Sequence, residues 1–218
     1  MCKNLSRPRL IKSHADIKFL PKQLWTKNPK IMFVVRDPRD AFVSLYHHNK
    51  FFFGKTVEES IESFIQDKLK YGNFWPMVLS FYALRHRSNI IFFSYEEMKR
   101  NLELVVLKVA KFIGRDYDEG QIRELLEHLD FNSMKSNVVC SHRLDLEEVR
   151  KKKNIQKDDI DENACFYRKG KVGSYKDELS EEILNKIDKW QKNFLDCEGI
   201  YLEDILWSNG HVEHSEEK

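Results

Sequence analysis

The sequence predicts an α/β protein in which helices flank a parallel β-sheet. Two short, largely apolar segments, IMFVV at 31–35 and IIFFS at 90–94, have the length and composition of strands covered on both faces. Each segment runs directly into a helical pattern, and the chain between them is also helical in its hydrophobic spacing. Because parallel strands need a crossover connection, this β–α–β order favours one parallel sheet containing both strands.

The first predicted strand ends at Arg36, where a helix begins at once. Asp37 can cap this helix, Pro38 suits its first position, and Asp40 places a carboxylate in its first turn. Ligands of open α/β sheets bind beyond the carboxyl ends of strands, where helix N-termini present free N–H groups to anions. Arg36 is therefore a candidate anion ligand, and the alternative is a surface arginine paired with Asp37 or Asp40.

Capping residues and apolar spacing predict the elements on either side of this first strand and helix. RLIK at 9–12 is interpreted as a short strand that runs into Ser13 and His14. Thr56 to Glu59 is a capping box that opens a helix, and a second amphipathic helix spans the apolar residues from Phe74 to Tyr82.

After the second strand the pattern is helical. Asn101 caps a helix that stops at Gly114, a further helix covers 122–129, and Ser180 caps another that extends to Phe194. Residues 135–165 are polar without a clear period, which predicts a mobile substrate or cofactor loop, and 208–218 is expected to be a frayed tail.

Composition limits the function classes. The 218 residues include 37 basic and 35 acidic side chains, so the net charge of +2 excludes a globally basic nucleic-acid-binding protein but permits a local anion site. We expect a single domain over 1–218, because 41% of the residues are hydrophobic and can bury one sizeable core. No apolar run has the roughly 18 residues of a membrane helix, and 1–10 lacks a signal-peptide core, which predicts a cytoplasmic protein with no membrane partner.

Cysteine and histidine spacing predicts no metal site. The four cysteines lack CxxC or Cys/His spacing, so we expect reduced thiols at Cys2, Cys140, Cys165 and Cys197. The tandem His47 and His48 lie inside the predicted helix and are interpreted as surface or packing residues.

The segment RKGKVGSYK at 168–176 is a second candidate anion site. Two adjacent cations followed by glycine can form a turn whose N–H groups and charges face one anion. By itself this pattern is weak, because charged turns are usually solvated.

Four separated segments together resemble the cytosolic sulfotransferase family, which transfers a sulfuryl group from 3′-phosphoadenosine 5′-phosphosulfate (PAPS) to hydroxyls or amines of small molecules. PRLIKSH resembles PRLxKTHLP, VVRDPRDAFVSLYHH resembles VARNPKDxxVSYYH, FFSYEEMKRN resembles LxYEDMKxNP, and RKGKVGSYK resembles RKGxxGDWK. The resemblance spans about residues 7–195. It implies a fold like that of P-loop NTP hydrolases, with PAPS as co-substrate and no metal.

The resemblance also implies the roles of individual residues. His14 would be the general base and Lys12 would stabilise charge on the transferring group. Arg36, Ser44 and the 168–170 turn would bind the 3′-phosphate. Tyr95 and Phe131 would lie against the adenine ring. The full set of residues implied to bind the nucleotide is Arg36, Ser44, Tyr95, Leu129, Phe131, Met134, Arg168, Lys169 and Gly170. Phe51, Phe52, Phe53 and Trp75 are either acceptor-pocket residues or core.

Several features depart from the family pattern. No TYPKSGTTW-like 5′-phosphosulfate loop precedes Pro8, so we expect an N-terminally truncated form that lacks this loop and the strand before it. Ser174–Tyr175 replaces Asp–Trp, Leu129–Asp130 replaces the common Thr–Ser, and the dimer motif after Lys176 is degraded, although a homodimer is possible. The predicted function is sulfuryl transfer to a small lipophilic phenol, steroid or alcohol. The alternative is an inactive form that binds nucleotide or a partner.

Overall fold

The two predicted strands form a parallel pair. The computed structural model describes residues 8–53, 56–66, 68, 72–137, 139 and 167–208. Within these residues the sheet consists of β1 (Ile31–Val35) and β2 (Ile90–Ser94), with Ile31 opposite Ile90 and Val35 opposite Ser94. The predicted α/β class with a parallel sheet is confirmed.

Helices surround this pair. They are α1 (Gln23–Lys27), α2 (Pro38–Phe53), α3 (Val57–Ile65), α4 (Phe74–Ala83), α5 (Tyr95–Arg100), α6 (Leu102–Ile113), α7 (Glu119–His128), α8 (Phe131–Ser136), α9 (Glu181–Glu198) and α10 (Leu202–Leu206). Short 3₁₀ turns occur at Ile17–Phe19 and Ser174–Asp177. The predicted caps are present, because Thr56 and Glu59 form the capping box of α3 and the side chains of Asn101 and Ser180 accept N–H groups of α6 and α9.

The predicted RLIK strand is wrong. Residues 9–14 form neither helix nor strand, and Leu10 and Ile11 are 85% and 60% exposed. A strand is stabilised by pairing with a neighbour, and the described sheet contains only β1 and β2. A four-residue segment with two apolar residues and no such partner does not specify a strand.

The core lies on one side of β1 and contains most of the buried aromatic residues. Trp75 of α4 is fully buried, and its ring centroid lies 6.1 Å from that of Trp190 in α9. The Phe33 ring of β1 stacks on Phe81 of α4 at 4.4 Å. Trp75 is therefore a core residue, while the side chains of 51–53 lie outside what the structure describes.

The other face of β1 is partly open. Met32 and Val34, which alternate with the core-facing residues, are 43% and 48% exposed. The expectation that β1 is covered on both faces is therefore wrong for the described residues. The apolar composition of this strand did not distinguish a half-covered strand from a fully buried one.

The end of β2 is fixed by the last helix. The buried Ser94 hydroxyl donates a hydrogen bond of 2.6 Å to the carbonyl of Leu206 in α10, and the same hydroxyl caps α5. This arrangement holds the carboxyl end of β2 and the start of α5 in one position. The site described below is built at this edge of the sheet.

The predicted loop and tail lie largely outside the described residues. Residues 135–136 belong to α8 rather than to a loop, while 140–166 and 209–218 are not described. None of the helices in the described ranges has the length and apolar character needed to cross a bilayer.

Candidate functional site

Arg36 lies at the carboxyl end of β1 and connects three elements. Its guanidinium donates to the carbonyl of Lys171 at 3.1 Å, lies 3.5 Å from the Asp40 carboxylate, and is centred 4.4 Å from the Tyr95 ring. Tyr95 is the first residue of α5, which follows β2. The two strand ends, the start of α2 and the loop after 168 therefore meet at Arg36.

The contacts of Arg36 bear on both interpretations of this residue, as an anion ligand and as a surface arginine in an ion pair. The ion pair with Asp40 exists, as the surface-arginine alternative predicts, but the Nε atom of Arg36 is buried and has no hydrogen-bond partner among the described residues. A buried donor without a partner is costly, so such a donor commonly marks a place where another group binds. The residues at this position thus fit an anion such as a phosphate.

The start of α2 is supported by two carboxylates. Asp37 accepts the N–H of Arg39 at 2.8 Å, which is the predicted capping function, and it also binds the Arg39 guanidinium. The N–H of Asp37 in turn donates to buried Glu96 at 3.1 Å. Burial raises the pKa of Glu96, while the hydrogen bond from Asp37 opposes this shift. These contacts fix the direction in which α2 leaves the sheet.

Asp40 joins α2 to the loop that carries the glycine-rich segment. Its fully buried carboxylate accepts hydrogen bonds from the N–H of Gly173 at 2.7 Å, the hydroxyl of Ser174 at 3.0 Å and the N–H of Tyr175 at 3.0 Å. The Arg36 guanidinium supplies an opposite charge on the same carboxylate. Asp40 therefore positions the 173–175 turn relative to Arg36.

The two cations of the loop are held by Glu178. Arg168 pairs with Glu178, and Lys169 lies 2.7 Å from the same carboxylate. His47 of α2 approaches the second oxygen at 2.6 Å. His47 is thus a specific partner of the loop, and its side chain is 37% exposed, in line with the surface position expected from sequence.

An aromatic group borders the same loop. The Phe131 ring at the start of α8 packs on the backbone of Gly170, its centroid lies 6.0 Å from that of Tyr167 in an edge-on arrangement, and the Lys99 ammonium lies 5.9 Å from it. Tyr95 and Lys99 are four residues apart on α5 and so share a face. Asp130 caps α8 by accepting N–H groups of 132 and 133, which explains an acidic residue at this place.

Gly170 is required by this packing, and its substitution gives a testable prediction. Its φ is +63°, and a Cβ at this position would lie 2.8 Å from Cγ of Phe131 and closer still to two other ring atoms. Gly173 has a similar φ of +75°, but no atom lies within 4 Å of the place that a Cβ would take there. Gly173→Ala should cost about 1–2 kcal/mol from the left-handed backbone alone, and Gly170→Ala should cost about 1–3 kcal/mol more from overpacking. Urea unfolding measures the free energy of unfolding of both variants. Equal losses for Gly170→Ala and Gly173→Ala would contradict the close packing of Phe131 on Gly170.

The remaining predicted residues occupy different surroundings. Ser44 is exposed on α2, four residues after Asp40 and so on the same helix face, while Leu129 and Met134 are half-buried at the end of α7 and in α8. Lys12 and His14 are both exposed in the irregular segment before 16. Neither residue belongs to a strand, and their catalytic role stays a prediction.

Sequence reasoning missed Glu178, Glu96 and Lys99 as neighbours of the site. The pairing of Arg36 with Asp40 was among the alternatives taken from sequence, and the two side chains lie 3.5 Å apart. Glu178 gave no recognisable sequence signal, since an acidic residue in a charged loop is usually solvated.

No group of three or more His, Cys, Asp or Glu side chains in the described part of the chain could hold a metal ion.

The fold and site define an α/β protein in which Arg36, the start of α2 and the 168–175 loop meet at the strand ends. Residues 1–198 match the sulfotransferase domain family, so the chain belongs to this family. It is 34% identical over 207 residues to luciferin sulfotransferase of Photinus pyralis, covering 93% of this chain and 55% of that protein. It is 26% identical over 200 residues to sulfotransferase 1E1 of Mus musculus, covering 89% of this chain and 65% of that protein.

A solved structure shows the same fold. Retinol dehydratase, in complex with androsterone and the inactive cofactor PAP, superposes with a TM-score of 0.77 and 26% identity, covering 89% of this chain and 55% of that one. The chain thus spans between 55% and 65% of the length of these three relatives. The predicted family and fold class are confirmed.

Proposed function

We propose that this chain binds PAPS through its 3′-phosphoadenosine half and is an enzyme that transfers the sulfuryl group to a hydroxyl of a small lipophilic acceptor. The observation that carries the proposal is the meeting of Arg36, Tyr95 and the 168–171 loop at the strand ends, with a buried Arg36 Nε that has no partner among the described residues. Family membership and a relative solved with PAP support the same nucleotide class.

The 3′-phosphate would lie between α2 and the loop. Arg36 and Ser44 would bind it from α2, and Arg168, Lys169 and the Gly170 backbone from the other side. Phosphate oxygens bound by arginine form charge-assisted hydrogen bonds, which are stronger than neutral ones. Adenine would lie against Tyr95 and Phe131, with Leu129 and Met134 contributing apolar contacts.

The chemical step would use Lys12 and His14, which lie in the irregular segment 9–14. As the acceptor oxygen forms its bond to sulfur, its proton passes to the His14 imidazole, and the bond between sulfur and the 5′-phosphate oxygen breaks with its electron pair left on that oxygen. Lys12 would stabilise the charge that develops on the transferring group. Retinol dehydratase was solved with androsterone, which supports a lipophilic acceptor for the family fold.

A second candidate function is nucleotide binding without catalysis. The observation that favours it is the exposed, irregular 9–14 segment, which leaves Lys12 and His14 without the strand geometry expected of catalytic groups. Both candidates share the 3′-phosphate site. We further propose a single domain, in line with the family match over 1–198, and a cytoplasmic location.

Arg168→Ala tests the shared site. Loss of one charge-assisted hydrogen bond to phosphate should cost about 1.5–3 kcal/mol, so the Kd for 3′,5′-diphosphoadenosine should rise roughly 10- to 150-fold in calorimetry. The Kd for adenosine 5′-phosphate should change little, because that ligand lacks the contacted group. Lys192→Ala, which removes an exposed cation from α9, is the matched control. Equal weakening of both nucleotides, or none, would argue against a 3′-phosphate at Arg168.

A further inference from the structure

Glu178 occupies an unusual place for an acidic residue near a phosphate site. One carboxylate oxygen pairs with Arg168 and, at 2.7 Å, with the Lys169 ammonium. The other oxygen lies 2.6 Å from Nε2 of His47. Both loop cations proposed to bind phosphate are therefore already paired with an internal anion.

The remaining partners of these two cations are weaker. Arg168 reaches the Ser174 hydroxyl only at 3.4 Å, and Lys169 lies 3.8 Å from Asp177, whose side chain is 76% exposed. Glu178 is half-buried, with a side-chain exposure of 20%. Its attraction to the cations is therefore less screened by water than that of Asp177.

Glu178 is charged at neutral pH. Burial alone would raise the pKa of its carboxyl group, but hydrogen bonds from Lys169, His47 and Arg168 lower this pKa to about 2. Because His47 projects from α2, it holds the carboxylate beside the loop. A bound phosphate would thus meet a fixed negative charge within hydrogen-bond distance of its own ligands.

We propose that Glu178 is an internal counterion that competes with the 3′-phosphate for Arg168 and Lys169 and so limits nucleotide affinity. This inference rests on the proposed function. Like charges that share the same donors weaken each other's binding, because each N–H serves one acceptor well and the two anions repel. Recapture of the cations by Glu178 favours departure of the nucleotide, and product release limits the turnover of many enzymes.

Glu178→Gln tests this role in the full chain. The substitution keeps the side-chain shape and removes the charge, so the Kd for 3′,5′-diphosphoadenosine should fall by about tenfold, as expected for removing one like charge near the ligand. Asp177→Asn removes a neighbouring exposed charge and should change this Kd by less than about twofold. Glu178→Ala, which also removes the side-chain volume, should tighten binding in the same direction.

The outcomes separate the two proposals. If wild-type protein prefers 3′,5′-diphosphoadenosine to adenosine 5′-phosphate but Glu178→Gln binds equally or more weakly, Glu178 orients the cations and the counterion proposal is overturned. If neither form distinguishes the two nucleotides, the 3′-phosphate site is overturned and the counterion role with it. Tighter binding that appears equally in Asp177→Asn would reflect general charge and would also overturn the specific role of Glu178.

Discussion

Asp40→Asn should lower the free energy of unfolding by about 3–5 kcal/mol, the range typical of removing one partner from a buried ionic network. The wild-type carboxylate is fully buried and accepts hydrogen bonds from the N–H of Gly173, the hydroxyl of Ser174 and the N–H of Tyr175. An asparagine would turn an NH₂ group toward some of these donors and would remove the charge that faces Arg36. The loss can be measured by urea unfolding followed through tryptophan fluorescence.

Asp188→Asn is the matched control for this prediction. Asp188 also lies near an arginine, at 3.8 Å from Arg39, but its side chain is 47% exposed. Exposed ion pairs contribute about 0–1 kcal/mol, so this variant should remain close to wild type. A loss at Asp40 no larger than that at Asp188 would show that Asp40 does not join α2 to the loop.

His14→Ala should lower the turnover of sulfuryl transfer by at least about 10²-fold, the low end of the range for lost general-acid–base catalysis. The assay would supply PAPS and a phenolic acceptor to the full chain. The Kd for 3′,5′-diphosphoadenosine should barely change, because the imidazole is proposed to move a proton rather than to bind phosphate. The reduction should therefore appear in kcat and not in nucleotide affinity.

His48→Ala controls for the loss of a histidine elsewhere, because His48 is exposed on α2. Equal turnover without His14 would show that another group accepts the proton. Absence of transfer from wild-type protein to phenol, steroid and alcohol acceptors, with nucleotide binding intact, would favour the non-catalytic candidate.

Elements with strong local signals were predictable from sequence. β1 and β2 begin and end where their apolar segments do, and α3, α6 and α9 begin at the predicted caps. In each case the signal lies within a few consecutive residues, so local chemistry determines the boundary. The helix α8 was missed because its six residues are too few to show a hydrophobic period.

The site was predictable only in part. Arg36 contacts Tyr95 and the carbonyl of Lys171, and Phe131 packs on Gly170, while the nucleotide-binding roles of these motif residues stay predictions. The contact of Asp40 with Gly173 and the contact of Glu178 with His47 join segments more than 130 residues apart. No local pattern reports such contacts. At RLIK the opposite case occurs. The local pattern predicted a strand, but no described strand pairs with this segment.

Phosphorus NMR of 3′,5′-diphosphoadenosine tests the central claim most directly, because the two phosphates give separate signals in one titration. If Arg36 and the 168–170 loop bind the 3′-phosphate, its resonance should shift and broaden as the full chain is added, and Arg36→Ala should remove this change. An unchanged 3′-phosphate resonance at excess protein, or the same change with Arg36→Ala, would contradict the account.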